Sequence, residues 1–423
     1  MIVTVQPGLL RGTVRVPASK SAAHRALICA ALADGLTTLH INALNDDIEA
    51  TAECLMNLGA LIDYDERKGL MVVRPIEAAP NLNRPLEGLS GKAFSRVDYG
   101  RSIALDCGES GSTLRFLLPV AAALGAKARF TGRGRLPQRP NKALTEALRT
   151  HGAAVDGDNL PMNVHGPVRG GLWTLPGDVS SQYVTGLLLA LPLLSEDSSL
   201  RLTTPLQSAA YVDMTLDALS DFGIAVVPVE GGWRVPGNQR YRTPGEISVE
   251  GDWSAAAFWH AANAMGSAIG VEGVSRRTAQ GDSAVTALLG QAEIDASNVP
   301  DLVPALAAAA AVLPQRTVIT GAARLRFKES DRLSAVSDML TALGGRAEAT
   351  DDGLVIHGGA PLSGGTVEGR NDHRIVMAAA ILATRAAGPV RITDAEAVAK
   401  SYPEFFNHFR QLGGIANVEC AGR

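Results

Sequence analysis

Two patterns of apolar and polar positions recur along this chain of 423 residues. In the first pattern, a helical run ends in Leu or Phe and then Gly, and a short apolar strand follows. Glycine adopts the left-handed backbone that closes a helix without a steric penalty, so it marks a helix end. The glycines that fit are Gly59, Gly152, Gly223, Gly290, Gly344 and Gly413. Because they recur about every 70 residues, with a wider first interval, the pattern predicts six repeated units.

The second pattern is a Ser or Asp that precedes a helix of small apolar residues. Such side chains accept hydrogen bonds from the first backbone N–H groups of a helix. The predicted helices cover 19–32, 110–124, 180–194, 252–264, 301–313 and 372–386. Two helices and several strands per unit make each repeat a small α/β module, so we predict an α/β fold.

Six modules exceed what one hydrophobic core usually supports, and two domains of three modules are therefore expected. The polar, turn-rich segment 238–245 is the predicted joint. Residues 2–5 alternate like an additional strand ahead of the first module. The segment from Arg74 to Ser102, rich in Pro, Asn and charge, is predicted to be an insertion.

Composition narrows the possible functions. With 46% hydrophobic and 19% charged residues the chain is typical of globular proteins. No apolar run reaches the roughly 18 residues that span a bilayer and no secretory leader is visible, so a cytoplasmic location away from membranes is expected. An acidic chain with 4% aromatic residues is a poor partner for nucleic acid. The four cysteines are Cys29, Cys54, Cys107 and Cys420, and we expect their thiols to be reduced. No pair of them has metal-ligand spacing, so neither a metal nor another cofactor is expected.

Candidate chemistry lies at the predicted helix starts. A helix N-terminus offers N–H groups and a positive dipole end to an anion, and cationic or hydroxyl residues recur in these first turns. They are Lys20, Ser21 and Arg25; Ser112 and Arg115; Ser180, Ser181 and Gln182; and Asn371, His373 and Arg374. If these helices point at one cleft, they could hold several phosphates or carboxylates without metal.

Segment 324–332 places four cations beside two carboxylates in a chain whose net charge is only −4. A solvated helix face is the ordinary interpretation of such a run. A local site for a strongly anionic ligand is the alternative.

Nine short motifs, in order along the whole chain, resemble the signatures of the enolpyruvyl transferases. They are PASKSAAHR at 17–25, GESGSTLR at 108–115, QRP at 138–140, SSQ at 180–182, Ser208 with Tyr211, PD at 300–301, KESDR at 328–332, NDHR at 371–374 and KSYP at 400–403. Each motif alone is weak, and the resemblance depends on their order and spacing.

The resemblance implies a two-domain, inside-out α/β barrel in which each domain is a pseudo-threefold repeat of βαβαββ units. Residues 20–241 would form one domain. Residues 1–19 and 242–423 would form the other, which the strand at 2–5 would join. The active site would lie in the interdomain cleft of a monomer.

The implied reaction transfers the enolpyruvyl group of phosphoenolpyruvate to the 5-hydroxyl of shikimate 3-phosphate and releases phosphate, on the route to chorismate and aromatic amino acids. Both substrates carry a phosphate and a carboxylate, so lysines and arginines must converge on them. By resemblance, the shikimate 3-phosphate residues are Lys20, Ser21, Arg25, Ser180, Ser181, Gln182, Ser208, Asp301 and Lys328. Those for phosphoenolpyruvate are Lys20, Gly111, Arg139, Gln182, Arg332, Arg374 and Lys400.

Addition and elimination require a proton donor and a proton acceptor. The resemblance assigns Glu329 as donor and Asp301 as acceptor, with Lys20 assisting. The chain departs from the family pattern at Glu109, where Asn is frequent, and at Phe116, where Pro is common. These departures leave sensitivity to the inhibitor glyphosate open.

A third departure from the family pattern and three rival functions also bear on the interpretation. Arg324 stands where the family often has Asn, so it either adds a charge contact or faces solvent.

The related transferase that acts on UDP-N-acetylglucosamine uses a loop Cys and an early Lys-Asn pair, whereas this chain has Lys20-Ser21. An RNA 3′-phosphate cyclase would need a nucleotide-accepting His, and His408 is available, but the acidic charge and the motifs for phosphoenolpyruvate oppose this alternative. A non-catalytic anion-binding protein is the third rival, and the intact Asp301 and Glu329 argue against it.

Overall fold

The computed structural model describes residues 1–76 and 102–419. Most of the predicted insertion, residues 77–101, and Cys420 lie outside the described residues. The strands are β1 (Ile2–Val5), β2 (Arg11–Arg15), β3 (Thr37–His40), β4 (Leu61–Asp65), β5 (Leu70–Arg74), β6 (Ile103–Asp106), β7 (Lys127–Thr131), β8 (Ala154–Val155), β9 (Met162–His165), β10 (Gly171–Leu175), β11 (Ser198–Leu202), β12 (Val227–Val229), β13 (Gly232–Val235), β14 (Glu246–Ser248), β15 (Ala268–Glu272), β16 (Glu293–Asp295), β17 (Arg316–Thr320), β18 (Arg346–Ala349), β19 (Leu354–His357), β20 (Gly365–Val367), β21 (Val390–Ile392) and β22 (Ala416–Glu419).

Twelve α-helices occur in the described part of the chain. They are α1 (Lys20–Leu32), α2 (Asp46–Asn57), α3 (Gly111–Ala123), α4 (Lys142–Thr150), α5 (Ser181–Ala190), α6 (Ala209–Asp221), α7 (Trp253–Ala264), α8 (Val285–Leu288), α9 (Val303–Val312), α10 (Arg332–Ala342), α11 (His373–Ala383) and α12 (Phe405–Gln411). The protein is therefore of mixed α/β class. None of these helices is long and apolar enough to cross a membrane.

The chain divides into two compact units, Lys20–Val249 and Met1–Ser19 with Glu250–Arg423. We call the first the central unit and the second the terminal unit. The crossing lies at Val249 and not at the predicted residue 241. The reason is that β14 pairs in parallel with β3, with Ile247 opposite Leu39, so the segment after 241 stays with the central unit.

Three four-stranded sheets of the central unit share one topology. Their strand orders are β14-β3-β5-β4, β6-β7-β9-β8 and β10-β11-β13-β12. In each sheet the first two strands are parallel and the other two pairs are antiparallel. In the first sheet the outer strand is β14, which comes from the end of the central unit. The three modules otherwise have the same strand order and strand directions.

The terminal unit repeats this topology with strands drawn from both ends of the chain. One sheet has the order β16-β17-β19-β18, and a second has the order β20-β21-β1-β22. The predicted strand at residues 2–5 is confirmed as β1, where Val3 lies between Ile392 and Val418. Strands β2 and β15 form a parallel pair.

Helices of small residues form the core of each unit. Residues 303–311 of α9 are all buried, as expected for a helix that is apolar on every side, and α9 packs on α7 and α11. In the central unit, α3 packs on α5. Gly186 of α5 lies against the carbonyl of Arg115, where no Cβ would fit, so a glycine permits this close approach.

The predicted helix ends are confirmed in most places. All six repeat glycines have φ between 71° and 109°, as left-handed helix ends require. Ser110, Ser180, Asp252 and Asp372 cap α3, α5, α7 and α11 with their side chains. The cap predicted at Asp301 is wrong, because that residue lies in a 3₁₀ turn ahead of α9 and its carboxylate is bound by cations.

Candidate active site

The predicted site residues are distributed over both units, and each unit is described by itself. The terminal unit holds Asp301, Lys328, Glu329, Arg332, Arg374 and Lys400. The central unit holds Lys20, Ser21, Arg25, Gly111, Arg139, Ser180, Ser181, Gln182 and Ser208.

Arg332, the first residue of α10, contacts three carboxylates although only 1% of its side chain is exposed. Its Nη1 lies 2.8 Å from Oδ1 of Asp301, its Nη2 lies 2.6 Å from Oε2 of Glu329, and its Nε lies 2.8 Å from Oδ2 of Asp372. Burial alone would lower the pKa of Arg332, but the three carboxylates raise it above its ordinary value. One buried cation therefore links the two predicted catalytic carboxylates. We call these four residues and Arg374 the Arg332 cluster.

Asp301 has cations on both carboxylate oxygens. Besides Arg332, Nη2 of Arg374 lies 3.1 Å from Oδ2, and Nζ of Lys328 lies 3.7 Å from Oδ1. Burial by itself would raise the pKa of Asp301, but the charges of Arg374, Lys328 and Arg332 lower it well below its usual value. Asp301 is therefore ionised at neutral pH.

Asp372 is the completely buried carboxylate of the Arg332 cluster. Its Oδ1 accepts from the backbone N–H of Arg374, which caps α11. Its Oδ2 accepts from Ser330 at 2.9 Å as well as from Arg332. The sequence pattern identified Asp372 only as a helix cap, and its second role depends on a contact between residues 40 positions apart.

Two further cations of the terminal unit are buried beside backbone carbonyls. Nη1 of Arg374 donates to the carbonyl of Asp301 at 3.1 Å, and Nζ of Lys400 donates to the carbonyl of Asn371 at 2.6 Å. Each of these two cations therefore has a main-chain contact, and Arg374 has the carboxylate of Asp301 in addition.

The charge run at 324–332 divides into two parts. Arg326 and Asp331 pair at 2.9 Å with about a third of each side chain exposed, as the solvated-face interpretation expects. Arg324 donates to the carbonyl of Ser297 at 2.6 Å, so one of its contacts is structural. The residues that belong to the buried network are Lys328, Glu329 and Arg332.

In the central unit, the start of α1 carries two of the predicted cations. Nζ of Lys20 lies 2.8 Å from Oδ2 of Asp47 on α2, and both side chains are largely buried. Sequence reasoning gave Asp47 no role, since its partner is distant along the chain. The second cation, Arg25, lies five residues further along α1.

The guanidinium of Arg25 ties α1 to two other helices. It donates to Thr215 at 2.8 Å, Thr185 at 3.3 Å and the carbonyl of Tyr211 at 2.7 Å. It also lies 5.1 Å from the ring centre of Phe116, the residue that departs from the family pattern. Burial lowers the pKa of Arg25 to about 10, so it remains a cation at neutral pH.

The starts of α3 and α5 meet through Gln182. Its Oε1 accepts from Nη1 of Arg115 at 2.6 Å, and its Nε2 donates to Ser112 at 3.0 Å. Arg115 also donates to Asn141 at 3.1 Å. Arg115 is therefore a positioning residue for Gln182, although the motifs assigned it no substrate.

Gly111 opens α3 directly beside Arg139. A Cβ at Gly111 would lie 2.7 Å from Nη1 of Arg139, so the absence of a side chain lets the guanidinium approach the helix N-terminus. Arg139 is 6% exposed. Glu109 has its carboxylate against Gly134 of the following loop, which gives this departure from the family pattern a local contact.

Three predicted serines lie at helix starts in the central unit. Ser180 accepts from the backbone N–H of Gln182 at 3.3 Å, and Ser181 is the buried first residue of α5. Ser208, also buried, precedes α6 with φ of 56°, a left-handed backbone that is uncommon outside glycine. Strain of this kind is typical of functional positions.

Thiols and metal-binding groups do not add to the site. Cys29, Cys54 and Cys107 are free and buried. Within residues 1–76 and 102–419, no group of three or more His, Cys, Asp or Glu side chains is arranged to hold a metal ion.

The family model described as EPSP synthase (3-phosphoshikimate 1-carboxyvinyltransferase) matches residues 5–296 and 288–409. Relatives named 3-phosphoshikimate 1-carboxyvinyltransferase include one from Clostridium kluyveri, 39% identical over 448 residues, which covers 100% of this chain and 99% of the relative. Another, from Clostridium acetobutylicum, is 37% identical over 435 residues and covers 97% of both chains.

A solved structure agrees with these sequence matches. The chain is similar to an EPSP synthase from Acinetobacter baumannii with a TM-score of 0.78 and 26% sequence identity. The similarity covers 99% of this chain and 100% of that one. The relationship therefore extends over the full length of the fold.

Proposed function

Because the chain belongs to the EPSP synthase family, we propose that it transfers the enolpyruvyl group of phosphoenolpyruvate to the 5-hydroxyl of shikimate 3-phosphate and releases phosphate. This reaction belongs to the shikimate pathway, which leads to chorismate and the aromatic amino acids. The observation that carries the proposal is the full-length similarity to named relatives, in both sequence and structure. The buried cations of both units supply the charge that two phosphorylated carboxylates require.

We propose that the cationic and hydroxyl side chains of the two units bind the phosphate and carboxylate groups of the two substrates. In the central unit, the serines at helix starts and the side chains of Lys20, Arg25 and Gln182 bind shikimate 3-phosphate, with Lys328 added from the terminal unit. Arg332, Arg374 and Lys400 bind phosphoenolpyruvate together with Gly111 and Arg139. Lys20 and Gln182 contact both ligands, and Asp301 contacts the hydroxyl that reacts.

Asp301 accepts the proton of the 5-hydroxyl. Its ionised state supports this role, since only the charged form can accept a proton. Three cations weaken its basicity in the free protein. When substrate phosphate and carboxylate groups draw Lys328 and Arg374 toward themselves, the basicity of Asp301 rises. Substrate binding thereby activates the base.

In the addition, protonated Glu329 delivers its proton to the methylene carbon of phosphoenolpyruvate while the hydroxyl attacks C2 and Asp301 takes the hydroxyl proton. In the elimination, Glu329 takes a proton back from the new methyl group as the C2–O bond to phosphate breaks. In the free protein its Oε2 is held by Arg332 at 2.6 Å. Because Arg332 also holds Asp301, a substrate anion that binds this guanidinium alters both carboxylates at once. Lys20 assists with the charge on the transferred group.

We further propose that each unit is an inside-out α/β barrel of three βαβαββ repeats. The three identical sheet orders of the central unit support this arrangement. We also propose that the protein is a monomer and is located in the cytoplasm. Size-exclusion chromatography with light scattering would measure the oligomeric state.

Phosphate release by the purified protein tests the proposed reaction. We expect release only when phosphoenolpyruvate and shikimate 3-phosphate are both present. Release that continues with UDP-N-acetylglucosamine in place of shikimate 3-phosphate would instead indicate the related transferase. No release with either acceptor would indicate an anion-binding protein without this activity.

A further inference from the structure

The turn that leads into α11 has a strained backbone. Residues 369–372 form this turn, which is closed by a hydrogen bond from the backbone N–H of Asp372 to the carbonyl of Gly369 at 2.9 Å. Its two central residues, Arg370 and Asn371, both have φ of 51°. Positive φ at both positions is the pattern of a type I′ turn, which glycine and asparagine favour. Arginine has no such preference, so the turn is kept against a conformational cost.

Contacts from other parts of the terminal unit hold this turn in place. The backbone N–H of Gly369 donates to Oγ1 of Thr393 at 3.3 Å, and no Cβ would fit between Gly369 and the carbonyl of Thr393. On the outer side, the guanidinium of Arg370 donates to Oδ2 of Asp338 on α10 at 2.6 Å. The fold therefore imposes the left-handed backbone, and local preference alone does not explain it.

The carbonyl of Asn371 connects this turn to a predicted substrate residue. It accepts a hydrogen bond from Nζ of Lys400 at 2.6 Å. Lys400 ends the 3₁₀ segment Ala395–Lys400 and is only 6% exposed, whereas Asn371 is exposed. The direction of a carbonyl depends on the backbone dihedrals of its residue. The left-handed conformation of Asn371 thus determines where its carbonyl meets the ammonium group.

We infer that Asn371 is a positioning residue for the phosphoenolpyruvate site, because its left-handed backbone directs a carbonyl at Lys400 and fixes that ammonium group. The inference rests on the proposed function, which assigns Lys400 to phosphoenolpyruvate. A neutral carbonyl fixes the cation without cancelling its charge, so the charge stays available to a substrate anion. The contact is made by the main chain, and asparagine suits the position because it tolerates positive φ.

The test compares Asn371→Gly with Asn371→Val in steady-state kinetics. Both variants remove the amide side chain, but glycine adopts positive φ freely and β-branched valine resists it. We expect Asn371→Val to raise the KM for phosphoenolpyruvate by about tenfold, the effect of losing one hydrogen bond to a charged group, with little change for shikimate 3-phosphate. Asn371→Gly should stay within about twofold of wild type. Equal KM values for phosphoenolpyruvate in the two variants would overturn the inference.

Asn238→Val is the matched control. Asn238 is also an exposed asparagine with a left-handed backbone, at φ of 54°, and it lies in the central unit outside the predicted substrate residues. Its replacement should lower the melting temperature without raising the KM for phosphoenolpyruvate. An equal rise in KM in both valine variants would indicate general destabilisation and contradict a specific role for Asn371.

A milder variant keeps the inference testable if Asn371→Val does not fold. Alanine also disfavours positive φ, so Asn371→Ala and Asn371→Gly again differ in backbone preference and both lack the amide. The alanine variant should have the higher KM for phosphoenolpyruvate. The same KM in both would refute the role of the left-handed backbone.

A double-mutant cycle asks whether Asn371 acts through Lys400. In a Lys400→Met background the contact is already lost, so Asn371→Val should add less than about twofold to the KM for phosphoenolpyruvate. A further rise of about tenfold in that background would overturn the inference, since the turn would then act through another residue, such as Asp372 of the Arg332 cluster.

Amine labelling separates this inference from the proposed reaction. In the free protein Lys400 is buried and bound to a carbonyl, so an amine-reactive ester should modify it slowly, as measured by peptide mass spectrometry. Modification should be about tenfold faster in Asn371→Val, since the same hydrogen bond is lost, and unchanged in Asn238→Val. Unchanged labelling in Asn371→Val would refute the positioning role. Wild-type protein that shows this labelling pattern but releases no phosphate would count against the reaction and in favour of the position assigned to Lys400.

Discussion

The two units hold their buried arginines in contrasting ways. In the terminal unit, the guanidinium of Arg332 contacts three carboxylates. In the central unit, the guanidinium of Arg25 donates to threonine hydroxyls and backbone carbonyls, which are neutral. The first arrangement balances charge before substrate arrives. The second fixes a cation without cancelling it, so its field remains available to an anionic ligand.

This difference suggests a division of labour. A ligand anion at the terminal unit must compete with carboxylates, and that competition alters the two carboxylates, Asp301 and Glu329, that we propose as the proton acceptor and donor. A ligand anion near Arg25 meets no such competition and is simply attracted. The surroundings of Arg332 are therefore expected to respond to substrate, while those of Arg25 present a prepared cation. Lys20 of the central unit, which pairs with Asp47 at 2.8 Å, resembles Arg332 in this respect. The experiments below test this contrast in order of decreasing effect.

Arg332→Met should have the largest effect, since it removes the cation that balances three carboxylates. Asp372 would be left completely buried without its charged partner. Breaking a buried ion network from one side costs about 3–5 kcal/mol. We expect a loss of that order in the free energy of unfolding, measured by urea denaturation, together with loss of phosphate release. A change below about 1 kcal/mol would show that the cluster is not a balanced ion network.

Glu329→Gln tests the chemical side of the same cluster. The amide still accepts a hydrogen bond from Arg332 but cannot deliver a proton. A positioned general acid contributes at least about 10²-fold, so kcat should fall by that factor or more while the urea midpoint changes little. Near-wild-type kcat would remove Glu329 from proton transfer. Retained binding of phosphoenolpyruvate in the variant would confirm that the loss is chemical.

Gly111→Ala tests the central unit. There the variant changes the space beside Arg139 and not the balance of charges. The new Cβ would lie 2.7 Å from Nη1 of Arg139, and the flexible end of that side chain would have to move. We expect the KM for phosphoenolpyruvate to rise by about tenfold, equivalent to about 1.4 kcal/mol, with a smaller change for shikimate 3-phosphate. An equal change for both substrates would point to general distortion of α3.

The same contrast explains what the sequence could predict. Local signals were sufficient for the helix ends, because the left-handed glycines and the caps at Ser110 and Asp252 depend on residues a few positions away. The motifs also contain the six Arg and Lys residues that are buried in the described part of the chain, which are Arg25, Arg115, Arg139, Arg332, Arg374 and Lys400. Asp301 was misassigned as a cap, because its partners Arg332 and Arg374 are distant in sequence and outcompete a local N–H.

The remaining misses have the same physical origin. The crossing at Val249 depends on the pairing of β14 with β3, which joins opposite ends of the central unit. The second role of Asp372 depends on tertiary packing that no short motif records. The sequence patterns therefore identified charged residues of the candidate site, but the partners that balance each charge could be found only from the fold.

Arg326→Ala should have the smallest effect and serves as the control for Arg332→Met. Both arginines belong to the same charge run and both pair with a carboxylate, but Arg326 meets Asp331 where both side chains are about a third exposed. Water and salt screen this pair and the exposed hydrogen bond that Arg326 donates to the carbonyl of Thr350, so their loss should cost no more than about 1–2 kcal/mol. Urea denaturation and phosphate release should both remain close to wild type. If Arg326→Ala destabilised the protein as much as Arg332→Met, burial would not be what distinguishes the two arginines, and the contrast between solvated and balanced charges within this segment would fail.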